Sequence, residues 1–330
     1  MKNIMITGGA GFIGSNLVKY FVKKYPEAKI LIVDKLSYAA DVKNIAEYVD
    51  NINCFLFDYD ITDGALMKAF VLYNNIDTII HLAAESHVDN SIESPVEFIQ
   101  TNIVGTFNLL EAARQAWSLK GMDGKRFHHV STDEVYGSLT HDGDAFKETT
   151  PYDPRSPYSA SKASSDHLVM SYYHTYGLPV TISNCSNNYG PNQHEEKFIP
   201  KYIKCLIKGI PMPIYGTGRN VRDWLYVEDH VKAIDLILQK GKIGETYNIG
   251  GANELTNLDI ATVIRTAFSK VTGKPKGMET IKFVEDRKGH DFRYAINFDK
   301  INQELGWEPE TDFKEGIRNT INYYLNKFNY

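Results

Sequence analysis

The sequence predicts an α/β protein in which a doubly wound parallel sheet carries a smaller, interleaved C-terminal lobe. Three observations predict it. Short β-rich runs alternate with longer amphipathic stretches, the pattern of parallel strands joined by helical crossovers. The first run opens directly onto a glycine-rich turn and a helix. Past residue 187 the spacing of Gly and Pro changes and breaks the chain into shorter pieces. With 330 residues, 43% of them hydrophobic and 23% charged, the chain can bury one large core with an attached lobe.

Taken in order, residues 3–7 (NIMIT) form the first strand. One lysine and a short apolar stretch precede a glycine turn, with no small-residue cleavage pattern, so this is a strand and not a signal peptide. Residues 13–24 follow as an amphipathic helix and 29–34 as a second strand. The alternation continues with a strand at 53–57, a helix at 64–73 and a strand at 78–82. A long run at 96–117, with apolar residues at helical spacing, precedes a strand at 126–131, a helix at 158–176 and a strand at 180–185. From about Asn187, Gly190-Pro191, Gly209-Ile210-Pro211, Pro213 and Gly216 predict a compact lobe for a second ligand. Residues 245–250 again read as a strand and 258–271 as a helix, so the chain returns toward the sheet. The expected division is 1–186 for the sheet domain and 187–330 for the lobe, with segments of the second half rejoining the first.

Composition excludes several functions. A net charge of −5 and a pI near 6.1 argue against a broad nucleic-acid surface and leave room for a local basic pocket around phosphates. Cys54, Cys185 and Cys205 share no metal-type spacing and are an odd count, so reduced thiols, a cytoplasmic setting and no metal site are expected. No apolar run approaches the roughly 20 residues of a membrane helix.

Gly8, Gly11 and Gly14 fall between the first strand and the first helix. Their spacing, GxxGxxG, lets the chain turn tightly and brings backbone N–H groups to a pyrophosphate at a helix N-terminus; an ordinary strand-to-helix turn would read the same. Asp34 then ends the second strand, where a carboxylate takes both ribose hydroxyls of an adenosine and repels a 2′-phosphate. The expected cofactor is NAD in a Rossmann-type domain, with Lys35 as the one neighbour that would suit NADP. Asp60 and Ile61 read equally as an adenine-edge contact and as part of a plain helix cap in DITD.

The run Ser131-Thr132-Asp133-Glu134-Val135-Tyr136-Gly137 and the pair Tyr158 and Lys162 hold the reactive groups. Tyr158 and Lys162 are four apart on a helix and share a face. A free phenol titrates near about 10, so roughly one in a thousand is ionised at neutral pH; an adjacent ammonium is expected to lower that value and make a base.

These residues resemble the extended short-chain dehydrogenase/reductase superfamily of nucleotide-sugar enzymes. The resemblance runs through TGGAGFIG, HLAAESHVD, TNIVGT, STDEVYG, SPYSASKASSDHL, NCSNNYGP, RDWLYVEDH, ETYNIGG and GHDFRYAI. Within the superfamily it is to the 4,6-dehydratases, and it gives the catalytic positions to Thr132, Asp133, Glu134, Tyr158 and Lys162. It implies that Tyr158 takes the O4 proton of a nucleotide-diphosphate glucose while NAD takes hydride from C4 and Thr132 bonds that oxygen. Glu134 then removes the C5 proton, Asp133, held protonated, gives a proton to the departing C6 hydroxyl, and hydride returns to C6. The implied substrate is dTDP-glucose; UDP-glucose, a 4-epimerase and a decarboxylase of the same superfamily are the alternatives.

The resemblance adds Phe12, Ile13, Leu36, Ser37, Leu82, Ala83, Ala84, Ser86, Thr101, Ser131 and Asn188 to the NAD pocket. It assigns Ser86, Thr132, Asn187, Glu196, Lys197, Phe198, Pro213, Ile214, Tyr215, Arg222, Asn257, Arg287, His290, Tyr294 and the neighbouring Asp291 to the nucleotide sugar. Arg222 suits a diphosphate because its fork bonds two oxygens at once; beside Asp223 it also reads as an ion pair. His81 and His87 read as structural histidines. The run at 96–117 is similar to a helix that pairs with its symmetry mate in a four-helix homodimer interface, and a buried core helix would look alike. The chain departs from the resemblance in a short 138–157 loop and in Asn192-Gln193-His194-Glu195, which replaces an aromatic-rich stretch at the mouth of the site.

Overall fold

The computed structural model describes residues 1–286 and 290–330. The chain begins β1 (Asn3–Thr7), α1 (Phe12–Lys24), β2 (Lys29–Asp34), β3 (Cys54–Asp58), α2 (Gly64–Tyr73) and β4 (Thr78–His81). Two short helices follow, α3 (Val88–Glu93) and α4 (Pro95–Phe98), then α5 (Thr106–Lys120), β5 (Arg126–Thr132), α6 (Pro157–Tyr176) and β6 (Val180–Cys185). Past it lie β7 (Asn187–Tyr189), α7 (Phe198–Lys208), β8 (Met212–Tyr215), β9 (Val221–Tyr226), α8 (Val227–Lys240), β10 (Thr246–Ile249), β11 (Glu254–Thr256), α9 (Asn257–Thr272), β12 (Ile281–Val284), α10 (Asp299–Leu305) and α11 (Phe313–Lys327).

Seven parallel strands form one sheet in the order β10-β6-β5-β4-β1-β2-β3. The order reverses beside β1, between β1 and β4, and such a reversal opens a crevice at the carboxyl ends of the strands. In a strand such as KILIVD the interior residues, Ile30 to Val33, form an unbroken apolar run because both faces are covered. On one face α2, α5 and α6 bury Phe70, Leu109, Trp117 and Val169 against Met5, Leu31 and Ile79; on the other α1 and α8 bury Leu17, Phe21, Val231 and Ile234 against Ile4, Ile6 and Ile32.

The lobe is built from two small sheets, β11-β9-β7 and β12-β8, with α7, α9 and α11 around Tyr202, Ile203, Ile264, Phe268, Ile317 and Ile321. It is interleaved with the sheet, because β10 pairs in parallel with β6 and α8 packs on α1. The expected helix at 96–117 is interrupted: Ile99–Gly105 is a π-helical stretch between α4 and α5. Its wider turn lets Gly105 pass close to Ile61, whose Cδ1 would lie 2.5 Å from a Cβ there. It also aims Asn102 at Glu85, whose N–H it accepts at 2.9 Å, and at Ser161 Oγ, to which it donates at 2.8 Å. Among the described residues no helix is long and apolar enough to cross a membrane.

Candidate active site

A cleft of about 1550 Å³ runs along the carboxyl ends of the sheet strands, with the lobe as its far wall. At one end β1 gives way to Gly8, in the left-handed region at φ +72°, and α1 starts at an N-cap, Gly11, with no capping side chain. A Cβ on Gly14 would lie 2.1 Å from the Gly8 carbonyl oxygen, and one on Gly8 would lie 2.7 Å from Ala83 N. Side chains are therefore excluded from the turn, and the backbone N–H groups of the first helical turn remain open to an anion.

Asp34 closes the turn from the side. Its Oδ2 accepts the Ala10 N–H and its Oδ1 the Leu36 N–H, both at 2.9 Å. Burial pushes its carboxyl up from the ordinary value while those two amides pull the other way. Lys35 is committed to Glu85 Oε1 at 2.9 Å and Thr101 Oγ1 at 3.0 Å, so the neighbour that would suit a 2′-phosphate is already paired. The helix cap read in DITD is present at its last residue, Asp63, which accepts the Leu66 N–H of α2 at 2.9 Å; Asp60 accepts the Thr62 N–H at 2.8 Å, and Asp60 and Ile61 line the cleft. Leu36 does not line it. The side chain packs into the core beside α1, and its contribution is the backbone bond to Asp34.

The chemical centre lies where β5 meets α6. A capping box between Ser156 and Ser159, with Pro157 in the first turn, fixes the start of α6 just before Tyr158. Thr132 ends β5 and caps a one-turn 3-10 helix, Asp133–Tyr136, by accepting the Glu134 N–H at 3.3 Å. Thr132 also donates to Asp133 Oδ1 at 3.4 Å. Asp133 is buried, and its Oδ2 has no hydrogen-bond partner among the described residues. Burial and the neighbouring Glu134 and Asp223 push its carboxyl well above the usual range, so the side chain is held as an acid.

Lys162 is also buried, with Nζ donating to the Val130 carbonyl at 2.9 Å and lying 3.4 Å from His129 Nε2. Burial pulls its ammonium down, against the attraction of Asp166 and Cys185. Asp166, one turn further along α6, accepts Ser131 Oγ at 2.8 Å and the Tyr152 hydroxyl at 3.0 Å, and its Oδ1 lies 3.1 Å from His129 Nε2. Burial raises it to about 6.

The expectation that Lys162 lowers the Tyr158 phenol is corrected here. Burial, followed by Glu134, Cys185 and Asp133, pushes Tyr158 well above its ordinary value. The Lys162 ammonium is turned to the Val130 carbonyl, so the carboxylates around the phenol outweigh it.

Every residue assigned to NAD except Leu36, and all five catalytic positions, line this one cleft. Of the nucleotide-sugar set, Ser86, Thr132, Asn187, Glu196 and Lys197 line it too. The others are not among its lining residues, although Arg222 and Tyr294 lie near enough for charge interaction with Glu134. Ile214 is buried in the lobe core, because β8 turns alternate side chains inward. Tyr294 is buried beneath the Arg222 guanidinium, 4.4 Å from its ring centroid, with its hydroxyl on Asp291. Phe198 packs near Trp224, while Pro213, Tyr215, Asn257 and His290 are half-buried on the lobe. Arg287 lies outside the described residues.

Arg222 is not paired with Asp223. It donates to the carbonyls of Val221 at 2.7 Å and Asp291 at 3.1 Å, and its charge acts on Asp133. Asp223 instead accepts the Gly251 and Asn253 amides. His81 is structural, held between Thr7 Oγ1 at 2.8 Å and Thr106 Oγ1 at 2.9 Å.

Gln193, His194, Cys185, Ser186 and Tyr59 also line the cleft and were not singled out. For Gln193 and His194 the departure at 192–195 was the available signal. That loop is anchored by Asn192 to Ser15 Oγ at 3.0 Å and to Tyr323 at 2.7 Å, and by the Gln193 carbonyl to Tyr324. No group of His, Cys, Asp and Glu side chains among the described residues has the geometry to hold a metal ion.

The family model described as GDP-mannose 4,6 dehydratase matches residues 5–320. A dTDP-glucose 4,6-dehydratase of Shigella flexneri is 49% identical, covering 99% of this chain and 94% of its own. The solved dTDP-glucose 4,6-dehydratase DesIV of Streptomyces venezuelae, with NAD bound, superimposes with a TM-score of 0.92 at 40% identity, covering 99% and 98% of the two chains. The dTDP-glucose 4,6-dehydratase of Bacillus anthracis in complex with NAD does so with a TM-score of 0.89 at 42% identity, covering 100% and 98%.

Proposed function

The chain belongs to the dTDP-glucose 4,6-dehydratase family, and from that premise we propose that it uses NAD to convert dTDP-glucose to dTDP-4-dehydro-6-deoxy-glucose and water, a step of deoxysugar (rhamnose-type) biosynthesis. The observation that carries the reading is the buried carboxyl of Asp133, whose Oδ2 has no partner among the described residues, beside half-buried Glu134, set at the same cleft wall as Tyr158 and Lys162. A dehydrogenase that only oxidised an alcohol would have no use for a second acid and base there.

NAD, when bound, accepts hydride from C4 and delivers it to C6. The glycine turn and Asp34 suit it, with the pyrophosphate at the start of α1 and the adenosine ribose at Asp34. Tyr158 removes the O4 proton. Its high affinity for protons in this geometry calls for a cationic neighbour during oxidation, which Lys162, one helical turn along α6, would supply by turning from the Val130 carbonyl. Thr132 holds O4 by its hydroxyl. The resulting 4-ketone acidifies C5, whose proton goes to Glu134, and Asp133 protonates the C6 oxygen so that it leaves as water. Arg222, Lys197 and Asn187 hold the diphosphate, with residues 1–186 as the cofactor half and 187–330 mainly as the sugar-nucleotide half.

We further propose a cytoplasmic homodimer. Val96, Ile99 and Phe107 are 65%, 48% and 44% exposed along one side of the 95–120 helical run, an apolar stripe that a symmetry-related copy would cover.

Incubation with NAD and either dTDP-glucose or UDP-glucose, with products identified by NMR, tests the function. A 4-keto sugar with a C6 methyl is expected, formed faster from dTDP-glucose. A galactose-configured product with no loss of water would overturn the proposal.

A further inference from the structure

We propose that His230 is a positioning residue for the hydride-carrying end of the cofactor: acting through Asn188, it fixes the direction in which that side-chain amide meets the nicotinamide carboxamide. The inference rests on the reading of Asn188 as an NAD contact. Asn188 lies in β7 and lines the cleft. Its side chain stands at the chemical end, because it bonds Cys185, the residue paired with Thr132 across β5 and β6. His230 lies behind it on α8, fully buried, and is not among the residues that line the cleft.

The hydrogen bonds determine which way round the amide stands. The Ser186 carbonyl can only accept, and it lies 3.0 Å from one end of the Asn188 amide, so that end is Nδ2. Cys185 agrees: its thiol donates to the Ser131 carbonyl at 3.4 Å, which leaves Sγ to accept the second Nδ2 hydrogen at 3.3 Å. Oδ1 therefore faces His230, whose Nδ1 lies 2.9 Å away. An amide oxygen cannot donate, so Nδ1 carries the ring proton. Burial pulls the imidazole down to about 3, so the ring is neutral and Nε2, buried with no partner among the described residues, carries no proton. The backbone is held as well, since the Asn188 carbonyl accepts Gln193 Nε2 at 2.9 Å. What the side-chain amide keeps for the cofactor is the second lone pair of Oδ1 and the N–H resting on Cys185 Sγ, a weak acceptor. The nicotinamide carboxamide offers the complementary NH2 and oxygen. Hydride leaves C4 and returns to C6 on one and the same ring, so a ring that turned between the two transfers would strand the oxidised sugar.

The test compares wild type, His230→Asn, His230→Gln and His230→Leu as full-length chains freed of cofactor, titrated in a calorimeter with NAD and with ADP-ribose, which lacks the nicotinamide. The Nδ2 of an asparagine stands as far along its side chain as imidazole Nδ1 does, whereas the Nε2 of a glutamine corresponds to imidazole Nε2. His230→Leu and His230→Gln are therefore expected to bind NAD about tenfold more weakly and ADP-ribose as the wild type does, while His230→Asn returns NAD binding to the wild-type value. A packing role predicts the opposite order, since glutamine fills more of the imidazole's volume than asparagine. NAD and ADP-ribose weakened together, NAD binding unchanged in His230→Leu, or asparagine no better than glutamine would overturn the proposal. A measurement on the wild type leaves the fold untouched: NMR with isotope-labelled histidine is expected to show His230 neutral with its proton on Nδ1, and a proton on Nε2 would overturn the proposal equally. Asn188→Ala that bound NAD as tightly as the wild type would instead remove the reading beneath it.

Discussion

Replacing Asp133 by Asn separates the acid from everything else its side chain does, since Asn has the shape of a protonated Asp and cannot give up a proton at neutral pH. The carboxyl is buried with one oxygen unpartnered among the described residues, and its environment holds it as an acid. A positioned general acid contributes a factor of about 10² to 10⁴, which is roughly 3–5 kcal/mol of barrier. C4 oxidation does not use this proton. The variant is therefore expected to reduce NAD on addition of dTDP-glucose at the wild-type rate and to lose water about 10² to 10⁴ times more slowly, so that reduced cofactor accumulates; stopped-flow absorbance and NMR of the quenched sugar follow the two steps. A second measurement uses linkage. The native pKa of Asp133 is raised above its unfolded value, so the native state holds a proton that the unfolded chain releases. The group's contribution to stability is fully present below about pH 4 and is lost as pH rises toward the native value. Asn does not titrate, so denaturant titrations should show Asp133→Asn gaining on the wild type as pH climbs from 4. Oxidation slowed in step with elimination, or a stability difference that stays flat with pH, would refute the assignment.

Three further outcomes are expected. Glu134→Gln keeps C4 oxidation and loses elimination by about 10²-fold or more; in deuterated water, wild-type deuterium incorporation at C5 of the product would count against the C5-base role. Tyr158→Phe impairs oxidation itself, and normal reduction of NAD on substrate addition would require another base. Asp166→Asn removes the carboxylate that supports the buried Lys162 ammonium, so the alkaline limb of the kcat profile moves to lower pH. His129, Cys185 and His81 also act on that ammonium and remain unchanged, so a limb that does not move would show that Asp166 has no hold on it.

The sheet was legible because its strands are short apolar runs between clear breakers: β1, β2 and β6 lie at residues 3–7, 29–34 and 180–185 as read, and β3 is displaced by one residue. The lobe was less so. In α11, Gly316 reads as a breaker but sits inside the helix because Tyr189 leaves no room for a side chain, its hydroxyl 2.3 Å from where a Cβ would be. α8 follows β9 with no breaker between them, so VEDHVKAIDLILQK was absorbed into the lobe although it packs on α1. The reactive groups were legible because Thr132, Asp133 and Glu134 are consecutive and Tyr158 and Lys162 share a helix face. The pairing of His129 with Asp166 joins residues 37 apart on different elements, and only the spacing of Lys162 to Asp166, again one helical turn, hinted at it.

The identity of the two carboxylates matters less than the turn that carries them. In the one-turn 3-10 helix that follows β5, Asp133, Val135 and Tyr136 are buried and Glu134 stands at the cleft wall. Here Asp133 is the inward one, 2% exposed, while Glu134 is half-buried and its N–H is fixed by Thr132. Burial, with Glu134 and Asp223 beside it, then makes the first of the pair the acid, and in the proposed reaction the longer Glu side chain reaches the C5 proton from the wall. Exchanging the two residue types would put a bulkier acid in a packed site and a shorter base further from its proton. The division of labour is therefore set by the backbone at the end of β5, one residue beyond the threonine that serves the oxidation.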